Sequence, residues 1–227
     1  MSALTPLAPD VWAATRPLPL PVGDIGTRMT VIRLPDGRLL LHSPVRLDPE
    51  TKQALDAIGP VRWVVAPSKV HHFFVGEYAR AYPAARLLAA PGLPEKRNDL
   101  HFHGVLGDGP PAEWEGAVEL HLFRGAPYIN EVVFFHAPSR TLILTDLAFN
   151  MVRAPRGRAR VFCWVVGASG RFGPHRMVRL TIRDRRAARA SLQQILSWDF
   201  DRVIVTHGDV LESGGKRRVA EAFAFLG

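Results

Sequence analysis

Short apolar runs rich in β-branched residues alternate along this chain with stretches whose apolar positions fall three and four residues apart, the pattern of a mixed α/β protein. Residues 28–34 and 38–42 are two such runs joined by Pro35, Asp36 and Gly37, and Asp-Gly between apolar runs predicts a hairpin. Asp48 before Pro49 predicts a helix start, because Asp accepts from free N–H groups and proline fits the first helical position; Gly59 and Pro60 end it. Residues 61–66 then predict a buried strand, 73–82 a short helix, 86–90 a strand, and 118–123, 132–136 and 141–145 three more. The run 161–166 reads as another buried strand, and the stretch 153–160 before it as a lid or a surface loop. Ala188, Leu192, Ile195 and Leu196 lie at helical spacing within 185–198, with Asp184 as the cap. Residues 203–206 return to a sheet, and 217–226 close the chain as a helix.

Composition narrows this picture to one domain. A chain of 227 residues with 47% hydrophobic residues can bury one large core, so a single domain over 1–227 is expected. No charged leader opens the chain, and Pro6, Pro9, Pro17, Pro19 and Pro21 interrupt its early apolar runs. Neither a signal peptide nor a spanning helix is expected, and a soluble, cytoplasmic protein without a membrane partner is the default. The one cysteine, Cys163, lies in an apolar run and reads as an inert core residue. A formal charge of +8 raises the question of nucleic acid, but the excess is nearly all arginine, and its clusters lack interleaved aromatic residues that could stack bases. No nucleic-acid partner is expected. Attraction of a small anionic substrate is the milder use of the same field.

The candidate chemistry sits where strands end. His71 and His72 follow the 61–66 run, Asp146 follows 141–145, and His207 follows 203–206. Imidazole and carboxylate suit Zn²⁺ or Fe²⁺. The order and spacing resemble the metallo-β-lactamase-like superfamily, with its HxHxDH loop, a later GHTPG-like His, a strand-end Asp and a final His. On that resemblance His72 takes the place of the loop's last His, and His71 that of its Asp. Pro67 and Lys69 stand where the first two His would be, and Gly125, Ala126 and Pro127 where the middle His belongs. The resemblance implies an α+β, four-layer αββα sandwich and, in this chain, a degenerate site. The ligands of the second metal carry over to His71, His72, Asp146 and His207, whereas all three His of the first metal are absent.

One divalent ion is therefore expected, zinc ahead of iron. Catalytic candidates beside Asp146 are Lys69, whose ammonium could replace the missing first ion, and Glu131, as a base or a ligand unless it is only an exposed strand-start residue. His42 ends its strand where the superfamily has an Asp near the metals. His101 and His103 share one strand face, and His121, His136 and His175 read as ordinary strand or loop residues. Three functions remain open: a mononuclear hydrolase of a small substrate, a non-catalytic relative whose site serves binding or structure, and a mononuclear iron redox protein.

Overall fold

In the computed structural model, which describes residues 3–153 and 155–227, Leu39–His42 is buried along its whole length and Val61–Ala66 at four of six positions. Strands become this apolar when both faces of their sheet are covered. Successive side chains point to opposite faces, so Leu39, Leu41, Val64 and Ala66 enter one core, and Leu40, Trp63 and Val65 another.

That sheet has seven strands in the order Thr5–Ala8, Val11–Arg16, Thr27–Arg33, Leu39–His42, Val61–Ala66, Arg86–Ala89 and Gly104–Val105. Its first four strands pair antiparallel, and the pairs from Leu39–His42 onward are parallel. A second sheet has four strands, Val118–Leu122, Val132–His136, Thr141–Leu144 and Arg202–Val205, the last parallel to its neighbour. Helices α1 (Pro49–Ile58) and α2 (Val75–Ala81) cover the outer face of the first sheet through Leu55, Val75 and Tyr78. Helices α3 (Gly157–Val165) and α4 (Arg176–Thr181) form an excursion between the last two strands of the second sheet. Helices α5 (Arg185–Ser197) and α6 (Gly215–Ala222) cover its outer face through Ala188, Leu192, Ile195 and Val219. The facing surfaces of the two sheets meet in the core that takes in Leu40, Trp63 and Val65, which also contains Trp114, Val132, Phe134 and Ile204. The layers follow the expected αββα order.

Local signals account for both best-marked helices. Asp48 accepts from the Thr51 N–H at 2.7 Å and Asp184 from the Ala187 N–H at 2.9 Å, satisfying donors that helix starts leave free. Residues 161–166 are a correction. Residues 161–165 belong to α3 and Val166 is its C-cap; Ala159 and Cys163 are buried while Val161, Trp164 and Val165 face outward, so burial follows the helical period rather than alternation. A run of six apolar residues carries no period of its own, and the short helix was hidden by its exposed hydrophobic face. The stretch 153–160 is likewise no simple loop, since its end forms the first turn of α3.

Candidate metal centre

The carboxyl ends of the parallel strands Leu39–His42, Val61–Ala66, Thr141–Leu144 and Arg202–Val205 lead directly to Ser43, His71, Asp146 and His207. Crevices at such strand ends are where sheets of this kind collect ligands. One atom from each of His71, Asp146 and His207 lies within 4.8 Å of the others. The His71 and His207 Nε2 atoms are 3.2 Å apart, His71 Nε2 lies 3.1 Å from Asp146 Oδ2, and His207 Nε2 lies 3.8 Å from Asp146 Oδ1.

These separations fit a divalent ion. Bonds of about 2.0–2.1 Å at tetrahedral angles place ligand atoms about 3.3–3.4 Å apart. The hydrogen bonds outside the cluster fit as well. His207 Nδ1 donates to the Gly26 carbonyl at 2.7 Å, which leaves its Nε2 lone pair facing inward, and His71 Nδ1 meets the Ser43 hydroxyl at 2.9 Å. Such outer partners fix ring orientation in metal sites. Asp146 Oδ2, although near His71, is a buried oxygen with no aligned hydrogen bond. In the metal-free chain, burial opposes protonation of His71 but the Asp146 carboxylate more than offsets it, so its pKa is raised. The Asp146 pKa is lowered because His71 and His207 outweigh the opposing effect of burial. The pair thus favours positive charge where an ion would be held.

Three further contacts hold the cluster from behind. Glu131, buried at 1% exposure, accepts from the backbone N–H groups of Thr145, Asp146 and Leu147 at 2.6, 2.8 and 2.9 Å. It therefore sets the turn that presents Asp146. Burial and the nearby Asp146 charge push its own pKa up to about 7 against the donors of Thr145 and Leu147. Arg28, from the first sheet, donates to the carbonyls of Val205 and Gly208, on either side of His207 in the second. Gly208 is required by backbone contact: at φ +101°, a Cβ there would lie 2.1 Å from the Asn150 carbonyl oxygen.

The other sequence candidates are placed differently. His72 lies outside the three-residue cluster. The Arg97 guanidinium donates to both the His72 Nδ1 and its carbonyl at 3.0 Å, while the ring's Nε2 is buried without a partner and the residue lines the same cavity as the cluster. Burial, Lys96 and Arg97 pull its pKa down to about 4. Lys69 donates to the Pro127 carbonyl at 3.3 Å and packs along Gly92; it lines neither cavity that reaches Asp146. Glu131 is neither exposed nor open to substrate, because three backbone donors occupy its oxygens. His101 and His103 pack ring to ring at 5.0 Å, apart from the cluster. His175 is more than an ordinary loop residue. Its ring contacts Phe149 at 4.6 Å, its Nδ1 is buried without a partner, and it shares a cleft with Asp146.

His42 is buried edge-on against Phe134 with its Nε2 unpartnered. Burial first, and His71 second, lower its pKa from 6.5 to about 3. The folded state keeps it neutral, so its contribution to stability is complete above pH 6.5 and declines as pH falls toward 3. Within that window each pH unit costs about 1.4 kcal/mol for one such group. The expected result is an acid-unfolding midpoint that moves to lower pH in His42→Leu, followed by circular dichroism. An unchanged midpoint would mean that the ring finds a proton acceptor in the fold.

Two cavities meet at Asp146. One, of about 180 Å³, is walled by Leu18, Ile25, Phe73, Phe74 and Phe149 and reaches His71 and His207. The other is an open cleft of about 550 Å³ lined by Tyr128, Phe162, His175, Met177 and Leu180.

No curated protein matches the chain by sequence. The family described as Domain of unknown function (DUF4336) matches residues 10–94, a stretch that carries His71 and His72 but neither Asp146 nor His207. Among solved structures, the chain is similar to a metallo-β-lactamase from Hirschia baltica, at 14% identity and a TM-score of 0.67 over 98% of this chain and 96% of that one. It is similar to another from Erythrobacter litoralis with β-mercaptoethanol in the active site, at 16% identity and a TM-score of 0.66 over 98% and 96%. A third, from Pseudomonas aeruginosa in its mono-zinc form, gives 13% identity and a TM-score of 0.64 over 98% and 92%. At such identities the likeness concerns architecture rather than activity, and the chain has the metallo-β-lactamase-like fold.

Proposed function

We propose that this protein is a metal-dependent hydrolase of a small molecule, with one ion per chain, zinc ahead of iron, held by His71, Asp146 and His207. The observation that carries the reading is the convergence of three inward-facing ligand atoms at the junction of two cavities. Three protein ligands with an open remaining position distinguish catalytic from structural zinc sites. An ion held there supplies Lewis acidity for hydrolysis at neutral pH. The chain itself supplies orientation and proton transfer. Ser43 and the Gly26 carbonyl fix the two imidazoles, Glu131 fixes Asp146, and His175 offers an unpaired Nδ1 on the wall of the wider cleft. Burial first, and Arg171 as well, lower the His175 pKa against the pull of Asp146, so the ring is neutral and able to accept a proton.

A second reading has its own support. Two imidazoles and one carboxylate on one side of an open site are also the ligand set of non-haem Fe²⁺ proteins. Metal-stripped protein reloaded with Zn²⁺ and assayed on aryl esters, amides and phosphodiesters tests the first reading. The expected result is activity proportional to bound zinc, reduced roughly a hundredfold or more in His175→Ala, the range for loss of a proton-transfer group. Zinc-loaded protein no more active than free zinc would sink the hydrolase. Iron in the purified protein together with oxygen consumption would put the redox reading in its place.

A further inference from the structure

The excursion between Asp146 and Asp184 carries a charge equal to that of the whole protein. Residues 147–183 contain eight arginines and no Lys, Asp or Glu; the chain has 29 basic and 21 acidic residues, so 21 of each remain elsewhere. The +8 is therefore not spread over the surface. Among the described residues, only Arg153 of these eight arginines has a carboxylate partner, Asp209 at 3.4 Å.

The same excursion concentrates exposed apolar side chains. Among the described residues, Val152, Val161, Trp164, Val165, Met177 and Leu180 are six of the nine large hydrophobic residues that stand exposed, with Trp164 at 73% and Leu180 at 75%. On α3 the exposed Val161, Trp164 and Val165 fall at positions i, i+3 and i+4, opposite the buried Ala159 and Cys163. Arg158 and Arg160 flank that stripe and are exposed. Helix α4 lies beside it, tied by hydrogen bonds from the Arg176 backbone N–H to the Val166 carbonyl and from its side chain to the Val165 carbonyl. Helix α4 adds Met177 and Leu180, which directly follow Arg176 and Arg179 in the chain.

We propose that the α3–α4 face docks on an anionic lipid surface, with Val161, Trp164, Val165 and Leu180 entering the interface and the arginines meeting phosphate headgroups. An amphipathic face with Trp and aliphatic residues flanked by arginines has the composition of interfacial helices. Charge complementarity selects the partner. A second copy would bring the same arginine-rich face against itself, and like charges oppose that contact. Nucleic acid would match the charge, but successive bases need a series of rings to stack on, and beside Trp164 the exposed apolar residues of this face are Val, Met and Leu. No helix among the described residues is long and apolar enough to cross a membrane, and the proposed attachment is peripheral. Met177 and Leu180 also line the cleft that reaches Asp146, so docking places its mouth toward the lipid. The proposal stands whether or not the metal centre is catalytic.

Co-sedimentation of the full chain with phosphatidylcholine vesicles, with and without phosphatidylglycerol, tests it. Binding is expected only to the phosphatidylglycerol vesicles, weakening with salt and accompanied by a blue shift of tryptophan emission that Trp164→Phe abolishes. Each arginine at an anionic surface contributes about fivefold, so Arg158→Gln with Arg160→Gln should weaken binding roughly 25-fold. Val161→Ser with Trp164→Ser should weaken it too, while the exposed location of all four side chains leaves thermal melting unchanged. Any one of four results overturns the proposal. The wild-type chain does not bind phosphatidylglycerol vesicles, or the Val161→Ser, Trp164→Ser variant binds them as well as wild type. Alternatively, the wild type forms a dimer in sedimentation that this variant loses, or it prefers single-stranded RNA to the vesicles in direct competition.

Discussion

Asp146→Asn is expected to lose more than about a hundredfold in affinity for Zn²⁺, with a wild-type stoichiometry of one ion per chain by calorimetry. Replacing outer-shell partners already costs 10–100-fold in such sites, and this change removes the anionic ligand itself. The shape of the side chain is kept, so the loss isolates charge. The same substitution frees His71. Against the effect of burial, the Asp146 carboxylate raises the His71 pKa, so wild-type affinity should weaken as pH falls and protons compete with the ion for the ring. In Asp146→Asn the residual binding should lose part of this pH dependence. Retention of tight, stoichiometric binding by the variant would place the ion elsewhere on the chain.

Glu131→Ala is expected to cost at least about 3 kcal/mol of stability, because two buried N–H groups and one part-buried one lose their acceptor at once and each orphaned donor costs about 1–3 kcal/mol. For a chain of this length, about 3 kcal/mol corresponds to a fall of roughly 6–12 °C in melting temperature. Glu131→Gln, which keeps the volume but one acceptor oxygen instead of two, should lose less. Metal affinity should fall with stability in both, since the turn they support carries Asp146. A loss below about 1 kcal/mol would mean that the Thr145–Leu147 backbone finds other acceptors, and the clamp would be incidental.

How far the sequence discloses this arrangement depends on the kind of interaction. Strands 61–66, 141–145 and 203–206 are legible because burial on both faces makes them continuously apolar, and the residues just past them stand at a rim by construction. The choice between His71 and His72 is not legible. The distant Ser43 and Arg97 hold the two rings by their Nδ1 atoms, and it is His71 whose other nitrogen falls within the cluster of Asp146 and His207. The work of Glu131 is hidden for another reason: its partners are backbone N–H groups, which every residue but proline possesses. The strands Thr5–Ala8 and Val11–Arg16 escape the pattern because Pro6 and Pro9 break up their apolar runs. Thr5–Ala8 ends the sheet order, and an edge strand tolerates a missing donor. Likewise, a composition total cannot show that the charge excess lies in one excursion of the fold.

His71 belongs to the first sheet's strand ends and Asp146 and His207 to the second's, while Arg28 crosses between them to grip the backbone around His207. The cluster is thus owned by neither half of the molecule. An ion in it would rivet the two sheets at the open rim of the sandwich, so that any sliding of one half past the other would stretch bonds to the ion before disturbing the apolar core. Conversely, the stretch 10–94 taken by itself contributes one ligand of the three and has nothing to close.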